Sequence, residues 1–234
     1  MKKNIFKKTL SIVLAIVIIL QIYFLAEPVT AVDDTDGVVV TLTVDSGITI
    51  SNGDNVTMDP NLGITANSSI GSSAWTVKTN NRTGYTLAVK ADTNPALKSL
   101  ENNTFEDYTE ASGTCSDLSY TTRATCLGAS KIWTPVPEAW DIAPGAKEFG
   151  YSAYGNNTST ATWGTSLSCG SAGVPATSQY YAGFTTSNNI IATNGEPTTT
   201  SGVETTICFA AEQDTIYAPS GTYTATITAT AATL

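Results

Sequence analysis

The sequence predicts an all-β protein, an antiparallel β-sandwich that follows an N-terminal signal peptide. Several segments alternate apolar and polar residues with a period of two, which is the pattern of half-buried strands. Only 13% of the residues are charged, and Thr, Ser, Asn, Gly and Ala dominate, as is typical of extracellular β-proteins. We expect a signal peptide over residues 1–31 and a single β-sandwich domain over residues 32–234, with an irregular insertion at about 97–145.

The first 31 residues have the three parts of an export signal: a basic start, an apolar run over residues 10–26 and a small-residue cleavage site that ends at Ala31. The basic residues are Lys2, Lys3, Lys7 and Lys8. We expect cleavage after Ala31 and a secreted or cell-surface protein. The alternative is an uncleaved anchor, because the apolar run is close to the length that spans a bilayer, although Gln21 interrupts it. The membrane is a partner only in that case.

The charge of the mature chain argues against nucleic acid as a partner. Cleavage removes four lysines from the 11 basic residues and Glu27 from the 20 acidic ones, which leaves seven against nineteen and a net charge of −12. The acids are scattered along the chain, which is typical of a soluble, self-repelling surface.

The clearest strands form a hairpin over residues 74–91. Apolar and polar residues alternate on both arms, and residues 80–84 supply Asn, Thr and Gly to the turn. The apolar stripe comprises Trp75, Val77, Tyr85, Leu87, Val89 and Ala91. The same period predicts further strands at 38–44, 48–50, 148–154, 180–185, 203–211 and 222–231. We expect a turn at Asp45-Ser46-Gly47 to join the first two of these strands.

The four cysteines of an exported chain allow three disulfide pairings. Spacing favours a local bridge between Cys115 and Cys126, and a second bridge between Cys169 in a Gly/Ser loop and Cys208. Alternation places Cys208 on the strand face opposite the core stripe. Closing loops of these sizes stabilises a fold by about 3 and about 4 kcal/mol in the loop-entropy account.

The sequence gives little support for catalysis. It contains no histidine, which excludes Ser-His-Asp and Cys-His arrangements and makes a zinc site improbable. Paired carboxylates such as Asp33/Asp34 or Glu106/Asp107 leave a carbohydrate-acting enzyme as the third-ranked alternative. We expect no enzyme activity and no cofactor.

A calcium loop is suggested by the acids that precede Gly37. When Gly37 is aligned with the glycine of such a loop, Val32 and Thr43 stand where the first ligand and the bidentate glutamate belong. The pattern therefore does not predict a metal site.

Three tryptophans are candidates for contact with a sugar or a protein. Trp133, Trp140 and Trp163 fall in segments without regular alternation, where binding residues often collect. The alternative is that they cover the disulfide or the insertion. Trp75 lies on the predicted core stripe instead.

Two segments resemble the WxL domain of bacterial cell-surface proteins. They are Asn81-Arg82-Thr83-Gly84 followed by Tyr85-Thr86-Leu87, and Gly221-Thr222-Tyr223 followed by alternating threonines through Thr230. Tyr85 stands where that family has its first tryptophan, and Ala229-Thr230-Ala231 stands in place of its second Trp-x-Leu. The resemblance implies a β-sandwich on a bacterial surface that attaches non-covalently to peptidoglycan. The motif positions that this chain retains or replaces are Arg82, Gly84, Tyr85, Leu87 and Tyr223.

The first functional hypothesis is a non-enzymatic, structural or adhesive protein of the cell envelope, with peptidoglycan or another envelope component as its partner. The second is a subunit of a surface polymer or pilus-like array, which self-associates by strand exchange and requires residues 222–234.

Overall fold

The computed structural model describes residues 2–25, 38–51 and 53–234, with side chains from 10–21 in the first range. It separates into two units, Met1–Val44 and Asp45–Leu234. The first unit contains helix α1 (Lys2–Leu25) and the segment 38–44, which has no regular secondary structure. In the part of the chain that is described, no helix combines the length and apolarity needed to cross a membrane. The expected cleavage site, Val29-Thr30-Ala31, lies outside the described residues.

The second unit is built from short and long strands. Its strands are β1 (Ile48–Ile50), β2 (Ser68–Thr79), β3 (Tyr85–Ala91), β4 (Leu97–Ser99), β5 (Thr104–Asp107), β6 (Gly113–Cys115), β7 (Trp133–Pro135), β8 (Glu138–Ala139), β9 (Lys147–Gly155), β10 (Gly170–Ser171), β11 (Val174–Pro175), β12 (Tyr180–Gly183), β13 (Asn189–Asn194), β14 (Val203–Gln213), β15 (Tyr223–Thr224) and β16 (Ile227–Thr233). Its helices are α2 (Arg123–Gly128) and α3 (Thr160–Trp163).

Two sheets enclose the core, which confirms the predicted all-β fold. The larger sheet runs β1-β2-β14-β9-β5-β4-β15, with β12 and β8 attached beside β9. The smaller sheet runs β13-β3-β16. Neighbouring strands are antiparallel except β5 and β9, which pair in parallel. The hairpin predicted at 74–91 is wrong: both arms are strands, but β2 pairs with β1 and β14 whereas β3 pairs with β13 and β16, so the turn between them crosses from one sheet to the other.

The core lies between the inward faces of the two sheets. Ile207 and Phe209 of β14 face Leu87 and Val89 of β3, and all four side chains belong to one buried cluster. Stacked aromatic rings fill the rest of this layer, joining Phe149, Tyr151, Phe184 and Phe209. Burial of each large apolar side chain contributes about 1.5–3 kcal/mol.

A second, smaller cluster lies on the outer face of the larger sheet. It contains Tyr108, Tyr181 and Cys208, and Cys208 is fully buried there. Both predicted disulfides are confirmed: Cys169–Cys208 ties a loop to this outer face, and Cys115–Cys126 joins β6 to α2. The outward direction of Cys208 follows from its place between Ile207 and Phe209, since side chains alternate along a strand.

The strand predicted at 38–44 and its turn are wrong. Residues 38–44 form no ladder in the described structure, and the side chains of Val38, Val40 and Leu42 are more than four-fifths exposed. The turn is replaced by a clamp: Asn80 donates through Nδ2 to the carbonyl of Asp45 and accepts from the amide of Gly47. Alternation reports which faces a strand would bury, not whether a partner strand is present.

The segment 97–145 is more regular than the predicted irregular insertion. It contains strands β4 to β8 and helix α2. Strand β5 joins the larger sheet beside β9, so this segment extends the sheet as well as covering it.

Replacement of Gly84 by alanine is expected to destabilise the fold strongly. Gly84 has φ +80°, and an added Cβ would lie 1.9 Å from the carbonyl oxygen of Asn194. We expect Gly84→Ala to lower the free energy of unfolding by more than about 2 kcal/mol in urea titrations. Gly63→Ala is the matched control, because no atom lies within 4 Å of its Cβ position. Equal stability of the two variants would show that position 84 does not require glycine.

Loss of the Cys169–Cys208 bridge should lower the free energy of unfolding more than loss of the local Cys115–Cys126 bridge. The first closes a separation of 39 residues and the second only 11, which corresponds to about 4 against about 3 kcal/mol. Cys208 is also fully buried, so its replacement by alanine leaves a void. Urea unfolding of the two double Cys→Ala variants measures this difference in stability. A more stable variant without Cys169–Cys208 than without Cys115–Cys126 would refute the prediction.

Candidate functional site

Two of the predicted contact tryptophans pack against the sheets. Trp163 lies on α3, is only 2% exposed and packs against Tyr151 in the core, so its ring is not available to a surface ligand. Trp140 is half-buried in the outer cluster, where it stacks on Tyr108 with ring centroids 4.6 Å apart. Its Nε1 donates to Glu212 Oε2 over 2.6 Å.

Trp133 lies on β7 directly opposite Cys115. It is half-buried, and its ring lies against Gly113, where an added Cβ would meet it at 2.7 Å. Trp133 therefore covers the disulfide hairpin, which is the alternative that the sequence left open. The three tryptophans occupy three different packing environments and do not form a common binding surface.

The residues at the family-motif positions are mostly structural. Gly84 lies in the turn between β2 and β3, while Tyr85 and Leu87 are fully buried in the core. The Tyr85 hydroxyl accepts from Asn157 Nδ2 at 3.1 Å. Tyr223 packs edge-on against Phe105. Arg82, in contrast, is exposed in the turn, so its guanidinium is the motif group that reaches solvent.

Carboxylates gather at the end of β5 and around Tyr108. Glu110 and Glu148 are buried, and each accepts from a backbone amide: Glu110 from Gly183 at 2.9 Å and Glu148 from Thr109 at 3.4 Å. Asp107 Oδ1 accepts from the amide of Ala96 at 3.1 Å. These acids are thus held as hydrogen-bond acceptors for the chain itself.

Burial raises the pKa values of these carboxyls. It raises the pKa of Asp107 to about 6, with the charge of Glu106 adding to the effect. Burial also raises the pKa of Glu110 and that of Glu148. The sequence-adjacent pair Glu106/Asp107 splits across the sheet, because successive strand residues point to opposite faces: Glu106 is exposed and Asp107 is half-buried. The pair therefore does not form the facing carboxylates of a glycosidase.

No group of three or more Asp, Glu, Cys or His side chains is placed to hold a metal ion among the described residues. Asp33/Asp34 and the acids before Gly37 lie in the range 26–37, which the structure does not describe.

A groove of about 1100 Å³, lined by polar as well as apolar residues, lies between residues 50–51 and 53–62 on one side and residues 218–229 on the other. Its floor is the inward face of the larger sheet, with Trp75, Phe149 and Phe209. One wall carries Val56 and Met58, which alternate with exposed neighbours. The other wall is the start of β16 and the residues before it, where Ala225, Ile227 and Ala229 are half-buried. We call this feature the apolar groove.

Strand β16 borders the apolar groove and is an edge strand of the smaller sheet. It pairs along its whole length with β3, from Ile227 opposite Ala91 to Thr233 opposite Tyr85. Within the described structure, its other edge makes no ladder with any strand. The apolar groove therefore combines an apolar floor with an edge strand at one side, and it is the candidate functional site.

Sequence reasoning missed the apolar groove because its parts are far apart along the chain. The alternation of β16 and the stripe of β2 were both evident, but the gap between β16 and the 50–62 segment depends on how far the smaller sheet extends over the larger one. No protein-family model, curated protein or solved structure matches this chain.

The raised pKa of Asp107 predicts a pH dependence of stability. In the folded chain this carboxyl stays protonated up to about pH 6, whereas in the unfolded chain it ionises near pH 3.8. The folded state therefore binds more protons between these values, and stability falls as the pH rises through this window. Glu110 and Glu148 act in the same direction.

Urea unfolding midpoints between pH 4 and pH 7 measure this dependence. Asp107→Asn keeps the oxygen that accepts from Ala96 but cannot ionise. We therefore expect its unfolding midpoint to fall less steeply with rising pH than that of the unchanged chain. Asp59→Asn, at an exposed carboxylate, is the control and should follow the unchanged chain. If the unfolding midpoint of Asp107→Asn fell with pH as steeply as that of the unchanged chain, ionisation of Asp107 would not be the cause of the pH dependence.

Proposed function

We propose that the chain is a non-enzymatic, secreted or surface-displayed structural or adhesive protein of the cell envelope. The observation that carries this proposal is the pair of disulfides across an all-β fold. Disulfides persist in oxidising compartments outside the cytosol. A small-residue-rich sandwich stapled in this way resists unfolding and proteolysis, as a protein displayed outside the cell must.

The N-terminal sequence and the charge support the same proposal. A basic start followed by an apolar helix, α1, is the form of an export leader. The acidic surface of the mature chain keeps it soluble and argues against nucleic acid.

Attachment to the cell wall is part of the proposal and rests on the WxL resemblance. Arg82 is the exposed motif residue, and a guanidinium pairs well with the carboxylates and phosphates of bacterial wall polymers. Buried Tyr85 and Leu87 would then serve to hold the turn that presents Arg82.

A second candidate function is a subunit of a surface polymer. Two features favour it: the apolar groove beside a free strand edge, and the unpaired apolar segment 38–44. Both are the elements that strand exchange between subunits uses.

Fractionation of the native cells, with intact mass of the recovered protein, tests the proposed location. We expect the protein in the wall fraction or the medium, starting at Val32 and four mass units lighter than the reduced chain, because two disulfides remove four hydrogens. A membrane-bound species that retains Met1 would indicate the anchor instead. A reduced protein in the cytosol would refute the proposal.

Co-sedimentation with purified cell walls tests the proposed attachment. We expect Arg82→Gln to lower the wall-bound fraction at least about threefold, since one charge-assisted contact is lost. Lys78→Gln is the matched control, because Lys78 is an exposed cation on the neighbouring β2. Equal binding by both variants would exclude Arg82 as the contact, and absence of binding by the unchanged chain would exclude the wall as a partner.

A further inference from the structure

The apolar groove is bounded at both ends. At one end β1 and β16 lie close together, and Ile50 of β1 and Ala229 of β16 both line the groove. At the other end the side chain of Gln213 joins the two walls: its Nε2 donates to the carbonyl of Gly63 at 3.1 Å, and its Oε1 accepts from the amide of Ala218 at 2.8 Å. A groove of limited length holds a slender ligand that ends inside it better than the middle of a long polymer.

The inward face of β2 forms a track along the floor of the groove. Ser69, Ser73 and Trp75 share this face, because side chains alternate along a strand, and all three line the groove. The six residues from Ser69 to Trp75 extend roughly 20 Å. Phe209 of β14 lies opposite Gly71 in the same row. A chain-like ligand on this track contacts two large aromatic rings and passes two hydroxyl groups.

One of these hydroxyl groups has no partner. Ser69 is only 3% exposed, and its Oγ makes no hydrogen bond within the described part of the chain. The Ser73 hydroxyl, in contrast, donates to the carbonyl of Asp54 at 3.0 Å. Buried hydroxyls are nearly always paired, because an unpaired one loses its bonds to water without replacement. Ser69 therefore marks the point where a polar group of a ligand would bind.

The lining of the groove favours an uncharged ligand. Among the described residues that line it, Asp54 is the one charged side chain, and none is lysine or arginine. Asp54 is itself exposed. An anion in the groove would meet no opposite charge, and a charge of either sign loses its hydration on burial. The apolar walls and floor thus suit an apolar body that carries a neutral polar group.

Exposed apolar side chains lie at the end of the groove that Gln213 bridges. Ile64 directly follows one partner of the Gln213 side chain, and Ile216 and Tyr217 directly precede the other. These three side chains are 85%, 56% and 54% exposed. Apolar side chains grouped on a surface mark contact with another apolar body. A ligand taken from a lipid aggregate would make such a contact as it enters.

We propose that the apolar groove binds the acyl chain of an uncharged lipid. The chain lies along β2 over Phe209 and Trp75, and the ester or hydroxyl group of the lipid bonds to Ser69 Oγ. Burial of the chain supplies the affinity, whereas Ser69 fixes the position of the polar group. This inference goes beyond the proposed envelope role and is independent of wall attachment through Arg82.

Calorimetric titration with monoacylglycerols measures this binding. The full chain is produced by export, so that both disulfides form, and the ligands are octanoyl, decanoyl and dodecanoyl glycerol below the concentrations at which they aggregate. We expect the affinity to rise about fourfold with each added CH₂ group. Decanoate has an acyl chain of the same length as decanoyl glycerol but carries a carboxylate, so it should bind at least about tenfold more weakly.

A substitution that fills the groove tests its location. Ala225 is half-buried and lines the groove, and Ala225→Trp should lower the affinity for decanoyl glycerol at least about tenfold, because the indole occupies the space of the ligand. Thr226→Trp is the matched control, since Thr226 is exposed and lies outside the lining. We expect it to change the affinity less than about threefold. Helix α1 is the same in both variants, so lipid contact with α1 cannot cause a difference between them.

A second pair of variants adds no volume to the groove. Ser69→Ala should lower the affinity for decanoyl glycerol about fivefold, because one hydrogen bond to the ligand is lost. Ser72→Ala, at an exposed position on the opposite face of β2, should leave the affinity unchanged. This pair decides the question if the urea unfolding midpoint shows that Ala225→Trp does not fold.

Three results would overturn the proposal. If none of the monoacylglycerols bound, the groove would not be a lipid site. If Ala225→Trp and Thr226→Trp bound decanoyl glycerol equally well, binding would lie elsewhere on the chain. If decanoate bound as tightly as decanoyl glycerol, the ligand would not be an uncharged lipid.

Discussion

The pairing of β14 between β2 and β9 is the interaction on which the rest of the structure depends. β14 is in antiparallel register with both neighbours over almost its whole length, and both of its faces are buried. Ile207 and Phe209 point to the core shared with the smaller sheet, whereas Cys208 and Ala210 point to the outer cluster. Because side chains alternate along a strand, one element anchors two packing layers and one disulfide.

The size difference between the two sheets explains the apolar groove. The smaller sheet has three strands, so it covers only part of the inward face of the larger one. Over the remainder, segments 50–51, 53–62 and 218–226 lie at the sides and leave Trp75 and Phe209 beneath an opening. Glu110 and Glu148, which lie outside this opening, accept from backbone amides although burial raises their pKa values.

Much of the fold was predictable because strand alternation and disulfide spacing are local. The two strands within 74–91, the strand at 203–211 and both cysteine pairs follow from period two and from export, although the pairing of those two strands with each other was wrong. The candidate site was not predictable in the same way. Trp163 reads as a loop residue in the sequence but is buried on α3, and Trp133 covers a disulfide hairpin. Segment 97–145 joins the larger sheet through β5, a non-local parallel pairing that no local pattern reports.

Residue type and the two-residue repeat of a strand are enough to predict the all-β class, the face on which Cys208 lies and the exclusion of histidine-based catalysis. Which strands have partners follows instead from the packing of the folded chain. Residues 38–44 and β16 show the same alternation, yet β16 pairs with β3 and 38–44 pairs with no described strand. The physical reason is that alternation specifies a face to bury, whereas a partner is supplied by distant chain segments through long-range packing.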